Sequence, residues 1–297
     1  MKKTSILAVI VAAALWGIDG VLLTPSLYSL KVPVVVFIEC FIVSAILTPF
    51  YFFKLKSLKN LKKNDWLAII TVAFVGGVIG TMAITKALFY VNYVNLSIVI
   101  LIQKLQPVFA IILAAIVLKE KLPGEFFLWA SLAVIGTYLM TFGIAFPNLG
   151  TGDKTAIAAV FSLLAAISFA SSTVFSKRAL RNVGFELATY LRFTFSAIIM
   201  LFIILVTNST ANIFAISLHQ LLVFLLIAFT TGGAAIFLYY FGLRNISASV
   251  ATICELSFPL TAILLEYFLR GNILAPVQWL GVILLLFSII KVSGFNR

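Results

Sequence analysis

Ionisable side chains stand inside long apolar runs of this 297-residue chain. Asp19, Glu39 and Glu255 supply carboxylates, and Lys104 and Arg192 supply cations. An ionisable group at the centre of a membrane-spanning helix costs roughly 2.5–3.5 kcal/mol on insertion scales, so each of these residues is a candidate for function. The chemistry that such groups offer is ion pairing, proton carriage and the binding of a polar or charged solute.

The positions of four of these residues predict two ion pairs. Glu39 and Lys104 lie at depths that allow a pair within the first half of the chain, and Arg192 and Glu255 occupy nearly equivalent places in the second half. Two interpretations stay open. The pairs belong to a binding or coupling site, or they only hold helices in register, because buried ion pairs can neutralise each other without adding stability.

Asp19 has no evident cation of its own in the sequence. A carboxylate removed from water favours its protonated form, which makes Asp19 a candidate proton carrier that couples movement of a solute to the proton gradient. The alternative is a carboxylate near the outer surface of the membrane that simply contacts water.

Other residues of the apolar runs could contact a solute or allow movement. Gln103 and Gln106 are expected to hydrogen-bond a polar solute, and Trp16 is expected to contact an apolar part of it. Pro107 and Pro259 each remove a hydrogen bond within a helix, which predicts either a pivot or a static kink.

The composition places these residues in a membrane protein. Hydrophobic residues make up 63% of the chain and charged residues 10%, against roughly 25% charged in a soluble domain. The net charge of +12 therefore indicates basic loops at a membrane surface and not a nucleic-acid partner. Cys40 and Cys254 lie in apolar runs and predict no disulfide, and the single histidine, His219, excludes a paired-histidine metal site.

A helix needs about 20 mostly apolar residues to cross a bilayer. The chain offers about ten such runs, and the first, which follows Lys2 and Lys3, is interpreted as a retained helix because it is too long for a signal peptide. Successive loops lie on alternating sides of the membrane, and one side carries nearly all the loop Lys and Arg residues. This side also holds the two termini, which are therefore predicted to be cytoplasmic. The predicted spans lie near residues 5–24, 33–53, 66–88, 95–117, 126–146, 155–176, 186–207, 217–241, 247–269 and 275–292.

The two halves of the chain resemble each other. At one constant offset, Pro107 aligns with Pro259 and Gly80 with Gly232, which indicates an internal repeat with units at residues 1–147 and 148–297. Five helices in each unit is an odd number, so the second unit must enter the membrane from the opposite face. Such inverted repeats are typical of secondary transporters, in which a solute site lies between the halves.

Short motifs in both halves resemble the drug/metabolite transporter superfamily, in its EamA-type branch of ten-helix proteins. They are Trp16-Gly17, Leu105-Gln106-Pro107-Val108-Phe109, Leu118-Lys119-Glu120-Lys121-Leu122, Phe258-Pro259-Leu260 and Gln278-Trp279-Leu280-Gly281. The resemblance covers essentially the whole chain. Two positions depart from the pattern: Asn272 replaces the glutamate that Glu120 matches, and Cys40, beside Glu39, replaces the arginine that Arg192 matches.

This resemblance implies a secondary transporter of the cell inner membrane that exports small polar metabolites such as amino acids by alternating access. Its partners would be a small-molecule substrate and the lipid bilayer, with proton coupling, no cofactor and an oligomeric state that the sequence leaves open. The alternative is a receptor or a scramblase-like protein that transports no solute. An enzyme is not expected, since the sequence places no pair of nucleophile and base inside the membrane.

Overall fold

The computed structural model describes residues 2–90, 97–146, 154–210, 213, 216–270 and 273–295. Within these residues every regular element is helical, and ten helical runs are long and apolar enough to cross a membrane. The predicted all-α architecture is therefore confirmed. The orientation of the spans in the membrane stays a prediction. Asn272 lies outside the described residues. The ten runs, called spans 1 to 10, are Lys2–Leu27, Val32–Lys56, Lys63–Tyr90, Leu101–Leu118, Gly124–Phe142, Ala156–Ala179, Phe185–Val206, Leu218–Asn245, Ala248–Leu269 and Pro276–Ser293.

Several spans contain more than one helical segment. The α-helices are Lys2–Ile18 in span 1, Val32–Tyr51 in span 2, Lys63–Thr71 and Thr81–Tyr90 in span 3, Ser97–Gln103 and Gln106–Leu113 in span 4, Gly124–Phe142 in span 5, Thr155–Ala179 in span 6, Phe185–Val206 in span 7, Leu218–Phe229 and Gly233–Asn245 in span 8, Ala248–Cys254 and Ser257–Arg270 in span 9, and Pro276–Ser293 in span 10. The π-helical segments are Asp19–Leu23, Val72–Gly80 and Ala114–Leu118, and the 3-10 segments are Thr24–Leu27 and Phe52–Asn60.

The interruptions of spans 4 and 9 lie just before a proline. Span 4 is interrupted after Gln103, ahead of Pro107, and span 9 after Cys254, ahead of Pro259. Proline lacks the N–H that would bond to the preceding turn, so the helix breaks or bends at this point. Both breaks lie within helical runs that cross the membrane, where polar groups of the backbone must find partners within the protein.

Helices of the two halves pack mainly against each other. Span 1 packs on spans 8 and 9, and the corresponding span 6 packs on spans 3 and 4. Span 2 packs on span 7, and span 5 on span 10. A seam between the halves therefore runs through the middle of the bundle, and side chains that point inward from spans 1, 2, 4, 6, 7, 8 and 9 meet there.

Glycines allow the closest of these approaches. A Cβ atom on Gly17 of span 1 would lie 2.6 Å from the carbonyl oxygen of Phe258 in span 9. In span 3, Cβ atoms on Gly76 and Gly77 would overlap the hydroxyl groups of Ser172 and Ser196. Small residues let helix backbones approach closely in membranes, where packing replaces the hydrophobic effect as the attraction between helices.

A hydrogen-bonded carboxylate joins the two halves at one end of the seam. Glu120, in the loop after span 4, accepts hydrogen bonds from the backbone N–H groups of Ala248 and Ser249 at 2.8 and 3.1 Å and from the Ser249 hydroxyl at 2.6 Å. These groups begin span 9. A carboxylate at a helix N-terminus satisfies otherwise unpaired N–H groups and interacts favourably with the helix dipole.

Glu120→Ala is expected to lower the free energy of unfolding by about 1–2 kcal/mol, because the first turn of span 9 loses its acceptor. The measurement is the melting temperature of the purified protein, which should fall by a few degrees. Lys121→Ala removes an exposed charged side chain of the same loop and serves as the control. Equal melting temperatures for the two variants would contradict a stabilising role of Glu120.

Candidate functional site

The break in span 9 places the Glu255 carboxylate in the seam. Its Oε1 accepts a hydrogen bond from the Tyr239 hydroxyl at 2.6 Å and a longer one from Thr173 Oγ1 at 3.4 Å, and its Oε2 accepts one from Gln106 Nε2 at 2.7 Å. The partners come from spans 8, 6 and 4. Gln106 belongs to the first half of the chain and the other three residues to the second, so this network crosses the seam.

An aromatic pair lies directly beside this network. The ring of Trp16 in span 1 lies 5.3 Å from the ring of Tyr239, at an interplanar angle of 55°. Trp16 belongs to the first half of the chain and Tyr239 to the second, and Trp16 is only half-buried. The arrangement places the half-buried indole ring of Trp16 beside the buried Tyr239 and the Glu255 network.

Arg192 forms a second polar cluster, at the side of the first. Its Nη1 donates hydrogen bonds to the Ser172 hydroxyl and to the Tyr240 hydroxyl, each at 3.2 Å, and Tyr240 also accepts one from Ser176 at 2.9 Å. A narrow cavity reaches this guanidinium group. Its lining is Ile69, Val72, Ser176, Ala179, Ala188, Arg192 and Tyr240.

Two further carboxylates, Asp19 and Glu39, approach the Arg192 cluster from spans 1 and 2. Asp19 and Arg192 are the two charged side chains whose fields act most strongly on the Glu39 carboxylate. Asp19 Oδ2 accepts a hydrogen bond from Thr24 Oγ1 at 3.0 Å across the π-helical turn. The sequence shows no evident cation for Asp19, and among the described residues no ion pair with Asp19 forms.

Neither predicted ion pair forms. Among the described residues Glu39 makes no contact with Lys104, and the nearest cation to it is Arg192. Glu255 is bonded to neutral partners, and Arg192 to neutral hydroxyl groups. The prediction compared depths along the helices, but the rotation of each helix decides the partner, and span 2 turns Glu39 towards span 7.

Lys104 and Gln103 lie at the break in span 4, away from the carboxylates. Lys104 is buried, and within the described part of the chain its ammonium group has no hydrogen-bond or ion-pair partner. Gln103 Nε2 donates to the backbone oxygen of Ser162 in span 6 at 2.9 Å. The structure therefore brings Trp16, Asp19, Glu39, Gln106, Arg192 and Glu255 to the seam, whereas Gln103 bonds across it to span 6 and Lys104 is buried at the break in span 4.

The sequence reasoning missed the tyrosines. Tyr239 and Tyr240 are almost fully buried; the Tyr239 hydroxyl bonds Glu255, the Tyr240 hydroxyl bonds Arg192, and the two rings are neighbours. A signal existed, because a buried tyrosine usually finds a partner for its hydroxyl group. In a chain with 28 Phe and 9 Tyr residues, however, two aromatic residues in an apolar run do not stand out.

The fold is that of a membrane protein, with ten helical spans among the described residues, and comparison with known proteins identifies its class. The model of the EamA-like transporter family matches the chain twice, over residues 3–142 and 156–294. The chain belongs to this family. Its relatives are transporters and not enzymes, as the sequence predicted.

Individual relatives agree with this assignment. The riboflavin transporter ImpX of Fusobacterium nucleatum subsp. nucleatum is 47% identical over 292 residues, which covers 98% of this chain and 97% of ImpX. An uncharacterised transporter of Synechocystis is 25% identical over 80% of this chain and 68% of its own length. A protein of known crystal structure, 15% identical, matches the fold with a TM-score of 0.76 over 99% of this chain and 97% of its own.

Proposed function

We propose that this transporter carries riboflavin, or a flavin of closely similar shape, through the seam between its halves. The observation that carries the proposal is the 47% identity to a riboflavin transporter over nearly the full length of both chains. The site chemistry supports it, because the seam combines an aromatic surface with hydrogen-bonding groups that suit a flat heterocycle.

Each part of riboflavin has a counterpart in the seam. The tricyclic ring would stack on Trp16 and Tyr239, whose rings lie 5.3 Å apart and would separate or tilt to admit it. The polar edge of the ring carries an N–H group and carbonyl oxygens, which match the acceptor Glu255 and the donor Gln106. The hydroxyl groups of the ribityl chain would reach the Thr173 and Ser172 hydroxyls.

The transport cycle proposed for this site is alternating access. Spans from both halves supply the network around Glu255, so rocking one half against the other would break it on one side and re-form it on the other. The reciprocal packing of span 1 on span 8 and of span 6 on span 3 supports an inverted relation between units at residues 1–147 and 148–297. Pro107 and Pro259, beside the breaks of spans 4 and 9, are the proposed pivots.

The basic loops support a cell inner-membrane location with both termini cytoplasmic. A smaller polar solute such as an amino acid, and export as the net direction, are the alternatives that the family resemblance suggested. Direction is not built into a reversible cycle: without a coupled ion, net flux follows the gradient of the solute.

The test is flux of radiolabelled riboflavin into proteoliposomes that contain the purified protein. Trp16→Ala is expected to raise the half-saturating riboflavin concentration about 10-fold, since losing one aromatic contact costs roughly 1.4 kcal/mol. The matched control is Trp279→Ala, which removes an exposed tryptophan of span 10.

If wild-type proteoliposomes carry amino acids but not riboflavin, the substrate is the smaller solute and the riboflavin proposal is wrong. Binding of riboflavin without flux would favour a receptor. Equal behaviour of Trp16→Ala and Trp279→Ala would remove Trp16 from the site while leaving the substrate in place.

A further inference from the structure

Two irregular helix segments meet beside Glu39. Span 1 leaves the α-helix at Asp19, and span 8 is broken between Phe229 and Gly233. A Cβ atom on Gly232 would lie 3.0 Å from Glu39 Oε1, so the Glu39 carboxylate rests against the break in span 8. Irregular segments inside a membrane protein expose backbone carbonyl oxygens, which can bind an ion when they line an internal site.

Oxygen atoms without hydrogen-bond partners point into this place. Thr231, in the break, is 2% exposed, and it lies next to the Asp19 carboxylate. Yet neither Thr231 Oγ1 nor Asp19 Oδ1, which is also buried, forms a hydrogen bond of normal geometry with any described residue. The Thr231 hydroxyl is placed to give Asp19 only a weak hydrogen bond, which leaves lone pairs of both buried oxygens available to another ligand.

The charges around this place do not balance. The ionisable groups that act on one another here are Asp19 from span 1, Glu39 from span 2 and Arg192 from span 7. Two carboxylates and one guanidinium leave a net charge of −1 when all are ionised. A buried charge must be compensated, and one monovalent cation would do so, whereas a divalent ion would reverse the imbalance.

We infer that Asp19, Glu39 and Thr231 form a binding site for a sodium ion. Carboxylate, hydroxyl and backbone carbonyl oxygens are the ligands that hard cations take in proteins. The ligands would be Asp19 Oδ1, a Glu39 carboxylate oxygen, Thr231 Oγ1 and carbonyl oxygens of the break in span 8. The place lies within the seam, so its occupancy changes the charge next to Arg192 and, through Tyr240 and Tyr239, the surroundings of Glu255.

This sodium site gives the transporter an ion to couple to. Binding of the ion stands on the geometry alone. Coupling of the ion to riboflavin rests on the proposed function, so the two are tested by separate measurements. A proton on Asp19 or Glu39 would also correct the charge, and the test includes that outcome.

The binding test measures the melting temperature of the full-length purified protein in NaCl, KCl and choline chloride at one ionic strength. Na⁺ should raise the melting temperature in a saturable manner, because a ligand that binds only the folded state stabilises it. Asp19→Asn and Thr231→Val should each need at least about 10-fold more Na⁺ for half of the effect. Ser288→Ala serves as the control, since it also removes a buried, unpartnered hydroxyl group, on span 10.

Several results would overturn the sodium site. Equal melting temperatures in the three salts would do so, as would a Thr231→Val protein that responds to Na⁺ like the wild type. A melting temperature that depends on pH between 5 and 8 but not on Na⁺, as ionisation of a proton carrier would give, would assign the missing charge to a proton. If Asp19→Asn does not fold, Thr231→Val alone decides the question, because valine keeps the shape of threonine.

The coupling test compares riboflavin uptake by proteoliposomes with and without an inward Na⁺ gradient. Coupling predicts accumulation above the external riboflavin concentration in wild-type vesicles and loss of that accumulation in Thr231→Val. If Na⁺ stabilises the protein but riboflavin does not move, the proposed substrate is wrong and the ion site stands. If riboflavin moves and Na⁺ affects neither stability nor uptake, the substrate stands and the ion site is wrong.

Discussion

Glu255→Ala is expected to reduce the initial rate of riboflavin uptake by about 100-fold at a subsaturating concentration. Alanine removes the acceptor that Gln106 and Tyr239 share across the seam. Hydrogen bonds to a charged acceptor are worth about 1.5–3 kcal/mol each, so the loss of these two accounts for roughly 3 kcal/mol, or a factor of about 100. The measurement is uptake into proteoliposomes at equal protein content.

Two further variants separate the roles of charge and of hydrogen bonding at this position. Glu255→Gln keeps the shape, and a flip of the Gln106 amide would let all its partners stay bonded, so only the charge is lost and the rate should fall about 10-fold. Glu125→Ala, on the exposed surface of span 5, should leave uptake unchanged. Uptake by Glu255→Ala at more than half the wild-type rate would show that the network does not serve transport.

Arg192→Met is expected to lower the free energy of unfolding by about 3 kcal/mol. Methionine fills a similar volume, but the Ser172 and Tyr240 hydroxyls lose their donor and Glu39 loses the cation that faces it. Removing one member of a buried charged set is costly because the remaining charge stays uncompensated. The fall should appear as a lower melting temperature and a lower yield of monodisperse protein.

Glu39→Gln combined with Arg192→Met should restore a substantial part of this stability, because the double variant removes both charges. Arg181→Met, at an exposed position near the end of span 6, should behave like the wild type. A double variant as unstable as Arg192→Met alone would mean that the two side chains are not coupled, and that the hydroxyl partners of Arg192 account for the loss.

The sequence was sufficient for the architecture of this protein because membranes impose a strong rule on helix length. Ten apolar runs of about 20 residues could be recognised without any tertiary information, and the prolines marked the breaks of spans 4 and 9. The π-helical turn at Asp19 and the break at Thr231 could not be predicted in the same way. They are built from ordinary apolar and small residues, and the packing of neighbouring spans decides where they form.

The sequence singled out residues that meet in the seam but not their contacts, and the role of these residues in transport stays a prediction. Depth in the membrane follows from the position of a residue within its run, and Asp19 and Glu39, which were expected at one depth, lie near each other. The choice of partner depends on rotation about the helix axis, which changes by about 100° for each residue. Lys104 and Gln106 are two residues apart, so on a regular helix they would face nearly opposite sides, about 200° apart.

The two free cysteines have a consequence for future work on this transporter. Cys40 follows Glu39 and Cys254 precedes Glu255, so each half of the chain carries one thiol next to a carboxylate of the seam, and both thiols are buried. Both belong to the packed layer of core residues inside the bundle. Alkylation by a water-soluble maleimide would therefore report that this layer itself has opened, and the natural protein already contains one such reporter on each side of its seam.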